Sequence, residues 1–156
     1  GCEDIRAWIG LPVYMKILNR KDGVIKAITD KLWLNGGLSS TEGEKITWDR
    51  STLYFISSLF RAGYIEEGWK RLVEFSENRL LGERVPYAIE AYPENGMRHL
   101  SAESALFCRI ITDGLMNIDC YDDGIRANAI LPDEVRQLTL NNVCLNGKTT
   151  DIEVKR

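Results

Sequence analysis

The sequence is poor in histidine and lacks paired cysteines. One histidine, His99, and four cysteines occur among 156 residues, and no C-x-x-C pair or cysteine–histidine cluster is present. Structural zinc sites need such pairs of ligands, so we expect no metal site and no cofactor. Cys108, in the apolar run ALFCRII, is expected to be a buried small group. Spacing alone leaves a Cys120–Cys144 disulfide open.

Long apolar runs and an excess of positive charge are also missing. No run approaches the roughly 20 apolar residues that span a bilayer, and the formal net charge is -3. We therefore expect a soluble protein with no membrane span and no nucleic-acid partner. Gly1-Cys2 is either a remnant of lipoprotein processing or a chance pair. A periplasmic or extracellular location is favoured over a cytoplasmic one.

Two kinds of helical pattern alternate in the first three quarters of the chain. A short helix begins at Pro12, and helices with a single apolar stripe are predicted after Asp22 and in residues 65–81. Two further helices, one starting near Asp49 and one capped by Ser101, are apolar over most of their circumference. We interpret these two as inner helices that pack on several sides.

The last residues change to a period of two. In residues 135–156 apolar side chains alternate with polar ones, and Asn146-Gly147 is a strong signal for a two-residue hairpin turn. The expected fold is therefore mainly α. It consists of αα-hairpins in residues 1–118, followed by a small C-terminal antiparallel β segment, residues 119–156, packed on them.

Two long loops are rich in residues that bind ligands. Residues 34–48 and 81–101 each lead from an outer helix to an inner one, so both are expected on one face, at helix N-termini with unpaired backbone N–H groups. The stretch VPYAIEAYPENGMRHLSAES (85–104) places three acids, the histidine and two tyrosines together. We predict the functional site on this face, because long loops in compact domains are usually functional or disordered.

Several segments resemble the C-terminal part of the six-hairpin glycosidase superfamily, with the general layout of α-L-rhamnosidase-like enzymes. They are WLNGG, KITWDRSTLYFISSLFRAGY and AIEAYPENGMRHLSAESALFCRIITDGL, followed by the β tail; the resemblance covers about residues 5–156. It implies an α/α toroid and glycoside hydrolysis. The chain holds about half of such a barrel, which implies a fragment of a larger enzyme, a barrel completed by a second copy of the chain, or a contracted module.

Glycoside hydrolysis requires two carboxyl groups, one acting as an acid and one as a base or nucleophile. The catalytic candidates are Glu90, which we expect to be the general base, and Glu94. Glu90 could instead be a loop acid paired with Arg84 or Arg98, and Glu94 could be a turn residue. The expected substrate is an oligosaccharide or polysaccharide.

Sugars present flat apolar faces beside hydroxyl groups, and aromatic rings combined with carboxylates complement both. Trp33 and Trp69 fall on the stripes of outer helices, so we assign both to packing. The remaining candidates for substrate binding are Trp48, Asp49, Tyr87, Tyr92, His99 and Glu103.

Structural explanations compete with sugar binding at three of these positions. Trp48 could be a hydrophobic staple at a helix entrance, and Glu103 could complement the helix dipole. His99 could bridge two loops. The alternative to an enzyme is a non-catalytic helical module that binds glycan or protein through the same face.

Overall fold

The computed structural model describes residues 3–81, 89–93 and 100–156. In these residues the chain has a mixed α/β fold, 44% helix and 26% strand. The prediction of a mainly α fold built from αα-hairpins of a toroid is therefore wrong. Parts of the predicted interhelical loops pair as short strands, and the helices at both ends of the helical region are shorter than the sequence pattern suggests.

Helix boundaries follow some of the local signals. Pro12 lies in the first turn of its helix, as predicted. Asp22 does not cap the second helix; it lies in the first turn and accepts a hydrogen bond from the Tyr64 hydroxyl over 2.5 Å. In the described residues the α-helices are α1 (Leu11–Tyr14), α2 (Lys21–Lys31), α3 (Asp49–Arg61), α4 (Ile65–Arg79) and α5 (Ser101–Arg109).

Helix α3 is the centre of the core. Phe55 belongs to the same buried cluster as Ile28 of α2, whereas Ile56 belongs to a second cluster with Phe75 of α4 and Ile110. Because adjacent residues of α3 face different clusters, the helix is buried on more than one side. The prediction of an inner helix is confirmed here.

The last helical segment differs from its prediction. Helix α5 ends at Arg109 and continues as a π-helical turn, Ile110–Leu115. Leu100 occupies the N-cap position and Ser101 is the first helical residue. Cys108 is exposed, contrary to the expectation of burial. An apolar composition does not bury this helix, because its outer side has no neighbour among the described residues.

The strands form four antiparallel pairs within the described residues. The longest pair is the predicted hairpin, in which Leu145 opposes Lys148 across Asn146-Gly147. The strands are β1 (Trp33–Leu34), β2 (Gly37–Leu38), β3 (Thr47–Trp48), β4 (Ala91–Tyr92), β5 (Ile118–Tyr121), β6 (Gly124–Ala127), β7 (Gln137–Leu145) and β8 (Lys148–Lys155).

A third buried cluster joins the C-terminal hairpins to the helical part. Met116, which follows the π-helical turn, packs there with Ile152 and Val154 of β8. Cys120 and Cys144 are both exposed and free, so the disulfide left open by the sequence is not formed. Across the described ranges, none of the helices combines the length and the apolar character required to cross a bilayer.

Candidate functional site

Two loops meet at the start of α3. Strand β3 pairs with β4, with Thr47 opposite Tyr92 and Trp48 opposite Ala91. In addition, the backbone N–H of Asp49 donates to the carbonyl oxygen of Glu90 over 3.1 Å. These contacts place the end of loop 34–48 directly beside the described part of loop 81–101.

The N-terminal segment supplies a third wall. The N–H of Ala7 donates to the carbonyl of Ser40, and the N–H of Glu42 donates to the carbonyl of Ile5, each over 2.9 Å. This antiparallel pairing brings the next residue, Trp8, to the same place. Trp8 is 48% exposed, so its indole lies at the rim. Nothing in the sequence pattern pointed to Trp8.

A cavity of about 270 Å³ lies where these segments meet, and we call it the site cavity. Its volume is just below the roughly 300–1,000 Å³ typical of pockets for drug-sized ligands. It contains two aromatic rings, two carboxyl groups and one guanidinium. The lining residues are Trp8, Ser40, Trp48, Arg50, Ser51, Glu90 and Glu103.

A larger cavity, of about 530 Å³, lies between the two C-terminal hairpins. Its acidic side chains include Asp123, which pairs with Arg126, and Glu153, which pairs with Lys155. Neighbouring cations therefore already neutralise these two carboxylates. It contains none of the residues predicted for the site.

Glu103 is the most unusual group in the site cavity. It lies in the first turn of α5 and is 0% exposed. Two nitrogens of Arg50, Nε and Nη2, each lie 2.7 Å from Oε1. Oε2 is also buried and makes no hydrogen bond within the described part of the chain. Buried polar atoms are almost always paired, and Oε2 is one of four buried side-chain atoms in the described residues that make no hydrogen bond.

Asp49, predicted to contact substrate, has a different position. Its side chain is 0% exposed, and its Oδ1 accepts a hydrogen bond from Nε of Arg79 over 3.1 Å. Its Oδ2 accepts the backbone N–H of Ile89 over 2.9 Å. Asp49 therefore does not line the site cavity. Its carboxylate holds the backbone at Ile89, next to Glu90.

Arg79 was missed by sequence reasoning. It is 1% exposed, although it reads as an ordinary basic residue in the last turn of a half-solvated helix. Its guanidinium carbon lies 4.4 Å from the centroid of the Tyr92 ring. Tyr92, another predicted sugar contact, therefore packs on Arg79 and does not line the site cavity.

The structure thus brings together three of the predicted site residues, Trp48, Glu90 and Glu103. It adds Trp8 and Arg50, neither of which was predicted. Three other predicted residues lie outside the described part of the chain: Tyr87, Glu94 and His99.

Comparison with known proteins gives no match. A scan against protein-family models, a search of curated proteins and a search of solved structures each found none. No relative therefore supplies a function for the site cavity.

Proposed function

We propose that the site cavity binds a sugar ring and hydrolyses its glycosidic bond, with Glu90 and Glu103 as the pair of carboxyl groups. One observation carries the proposal. Oε2 of Glu103 is a buried acceptor with no partner in the described residues, and the cavity it lines also holds Glu90 and two tryptophans.

The binding part of the proposal follows from the complementarity of the lining groups. A sugar hydroxyl donating to Oε2 of Glu103 would satisfy an acceptor that is otherwise costly to bury. Trp8 and Trp48 offer apolar ring faces to the C–H faces of a sugar. Arg50, which is 46% exposed at its side chain, holds Glu103 in place and presents further donors at the edge.

The catalytic part follows from the number of carboxyl groups. Hydrolysis needs one carboxyl to protonate the leaving oxygen and another to activate water or attack the sugar. In this proposal Glu103, which Arg50 holds as a carboxylate, is the base or nucleophile. Glu90, which the sequence suggested as the general base, lines the same cavity and becomes the acid that protonates the leaving oxygen.

The test uses a panel of p-nitrophenyl glycosides that covers common monosaccharides in both anomeric forms. Release of nitrophenolate measures hydrolysis, and tryptophan fluorescence measures binding of the matching methyl glycosides. We expect Glu90→Gln to lower kcat by about 10²–10⁴-fold, the usual contribution of a general acid or base. KM should change little. Glu103→Gln should both weaken binding and lower kcat, because it removes an acceptor for the sugar and a catalytic carboxylate.

The matched control is Glu77→Gln, an exposed glutamate on α4 that lies outside the site cavity, and it should change neither measurement. The protein could instead bind glycosides, lose that binding in Glu103→Gln, and hydrolyse no member of the panel. That result would identify a non-catalytic glycan-binding module. A protein that neither binds nor hydrolyses any member of the panel would overturn the proposal.

A further inference from the structure

We infer that Arg79, which lies outside the site cavity, is a positioning residue for Glu90 and acts through Asp49. This inference rests on the proposed function for its catalytic consequence, although its structural part can be tested alone. Arg79 comes from the last turn of α4, and Asp49 is the first residue of α3. Their buried ion pair therefore ties the end of one helix to the start of the other.

The first link runs from Asp49 to Glu90. Oδ2 of Asp49 accepts the N–H of Ile89, and the N–H of Asp49 donates to the carbonyl of Glu90. The N–H of Ile89 and the carbonyl of Glu90 are therefore both hydrogen-bonded to the same residue, Asp49. The backbone that carries the Glu90 side chain is thus fixed at two points.

The second link runs through Thr47. Nη2 of Arg79 donates to Oγ1 of Thr47 over 3.0 Å, and that hydroxyl donates to the carbonyl of Tyr92 over 3.2 Å. Glu90 lies between Ile89, held by the first link, and Tyr92, held by the second. The guanidinium of Arg79 is therefore linked by hydrogen bonds to both ends of residues 89–92, the segment that carries Glu90.

The chemistry of the guanidinium explains why this arrangement is specific. Its planar fork directs two N–H groups at two different acceptors, Asp49 and Thr47. A lysine ammonium has no such fixed fork. Because the pair is buried, an arrangement that takes the guanidinium away from the Asp49 carboxylate is unfavourable. Through its hydrogen bonds to Asp49 and Thr47, the buried Arg79 thus holds the backbone at Glu90 in one position.

The test compares Arg79→Lys and Thr47→Val with the conservative variant Thr47→Ser. Ile28→Val, in the buried cluster that does not include the site, controls for loss of core stability. Amide hydrogen exchange of Asp49 and Ile89 is measured by NMR. We expect Arg79→Lys and Thr47→Val to accelerate exchange about tenfold or more through local opening, whereas Thr47→Ser and Ile28→Val should not.

Turnover of the p-nitrophenyl glycosides gives the catalytic readout. A misplaced Glu90 carboxyl should lower kcat of Arg79→Lys and Thr47→Val about tenfold or more and leave KM within about twofold. Thr47→Ser keeps the hydroxyl and should retain the kcat of the wild-type protein. Unchanged exchange, or faster exchange with unchanged kcat, overturns the inference.

If the wild-type protein hydrolyses nothing in the panel, the proposed function fails but the inference is still decided. The readout is then the ¹³C chemical shift of the Glu90 side-chain carboxyl carbon. We expect it to move in Arg79→Lys and Thr47→Val and to stay in place in Thr47→Ser and Ile28→Val. A shift that is the same in all four variants would overturn the positioning role.

Discussion

Nε and Nη2 of Arg50 share a single oxygen of Glu103, Oε1, each at 2.7 Å. The other oxygen of the carboxylate is buried without a hydrogen bond in the described residues. The pair joins a half-exposed cation to a fully buried anion. Removal of Arg50 and removal of Glu103 should therefore lower the free energy of unfolding by different amounts.

We expect Arg50→Met to lower the free energy of unfolding by about 2 kcal/mol, because the buried carboxylate loses its donors and solvent screening of the half-exposed partner limits the loss. Glu103→Gln should cost less, since the remaining arginine can be solvated. Urea denaturation of both single variants and the double variant measures the coupling. Strictly additive costs would show that the two side chains do not interact in solution.

Two glycines should respond to alanine in opposite ways. A Cβ at Gly37 would lie 2.7 Å from Cβ of Thr47, whereas a Cβ at Gly23, in helix α2, would meet nothing within 4 Å. Gly37→Ala should therefore destabilise the protein by about 1–3 kcal/mol. Gly23→Ala should stabilise it by about 0.5–1 kcal/mol. Thermal and urea unfolding of the two variants check the sign of each change.

Glu42 should give the protein an acid-dependent contribution to stability. A hydrogen bond from Lys31 lowers the pKa of Glu42, with a smaller contribution from the backbone N–H of Ile5. A carboxyl whose pKa is lower in the folded state stabilises the protein above its unfolded pKa of about 4.3 and loses that contribution as the pH falls through the folded value.

Lys31→Met should therefore raise the titration midpoint of the Glu42 carboxyl carbon in ¹³C NMR. The stability difference between this variant and the parent should also disappear at low pH. Lys26→Met, which removes the partner of Asp30 instead, is the control. A Glu42 midpoint that is unchanged in Lys31→Met would contradict the assignment of the cause.

Cys108 should react as a surface thiol. Because it is exposed on α5, iodoacetamide should label it in the native protein, and peptide mass spectrometry can locate the label. Cys108→Ser should change the free energy of unfolding by no more than about 0.5 kcal/mol. Protection of this thiol until the protein unfolds would show that α5 is covered in solution.

Local signals predicted the start of α3 and the C-terminal hairpin turn. The acidic residue Asp49 at the head of an apolar run and the Asn-Gly pair between alternating strands are each signals that act within a few residues. The two-residue strands β1 to β4 gave no comparable signal, because they are too short to show a period. Their pairing depends on distant segments, so the mixed fold was missed.

Burial of the charged site residues could not be predicted for the same reason. Asp49 reads as a solvated acid at a helix start until Arg79, 30 residues later, is placed against it. Likewise, Glu103 is buried under Arg50, 53 residues earlier. The sequence proposed Trp48, Glu90 and Glu103 from their chemistry, but only the tertiary contacts show which of the predicted residues lie together.

The walls of the site cavity come from both ends of the helical region, from Trp8 to Glu103. The cavity exists only where the N-terminal segment, α3 and α5 are docked, so it is a property of the folded molecule. Any ligand that binds there would recognise fully folded molecules alone. Binding stoichiometry would then count the native fraction of a sample, and added ligand would draw partly folded chains toward the native state by mass action.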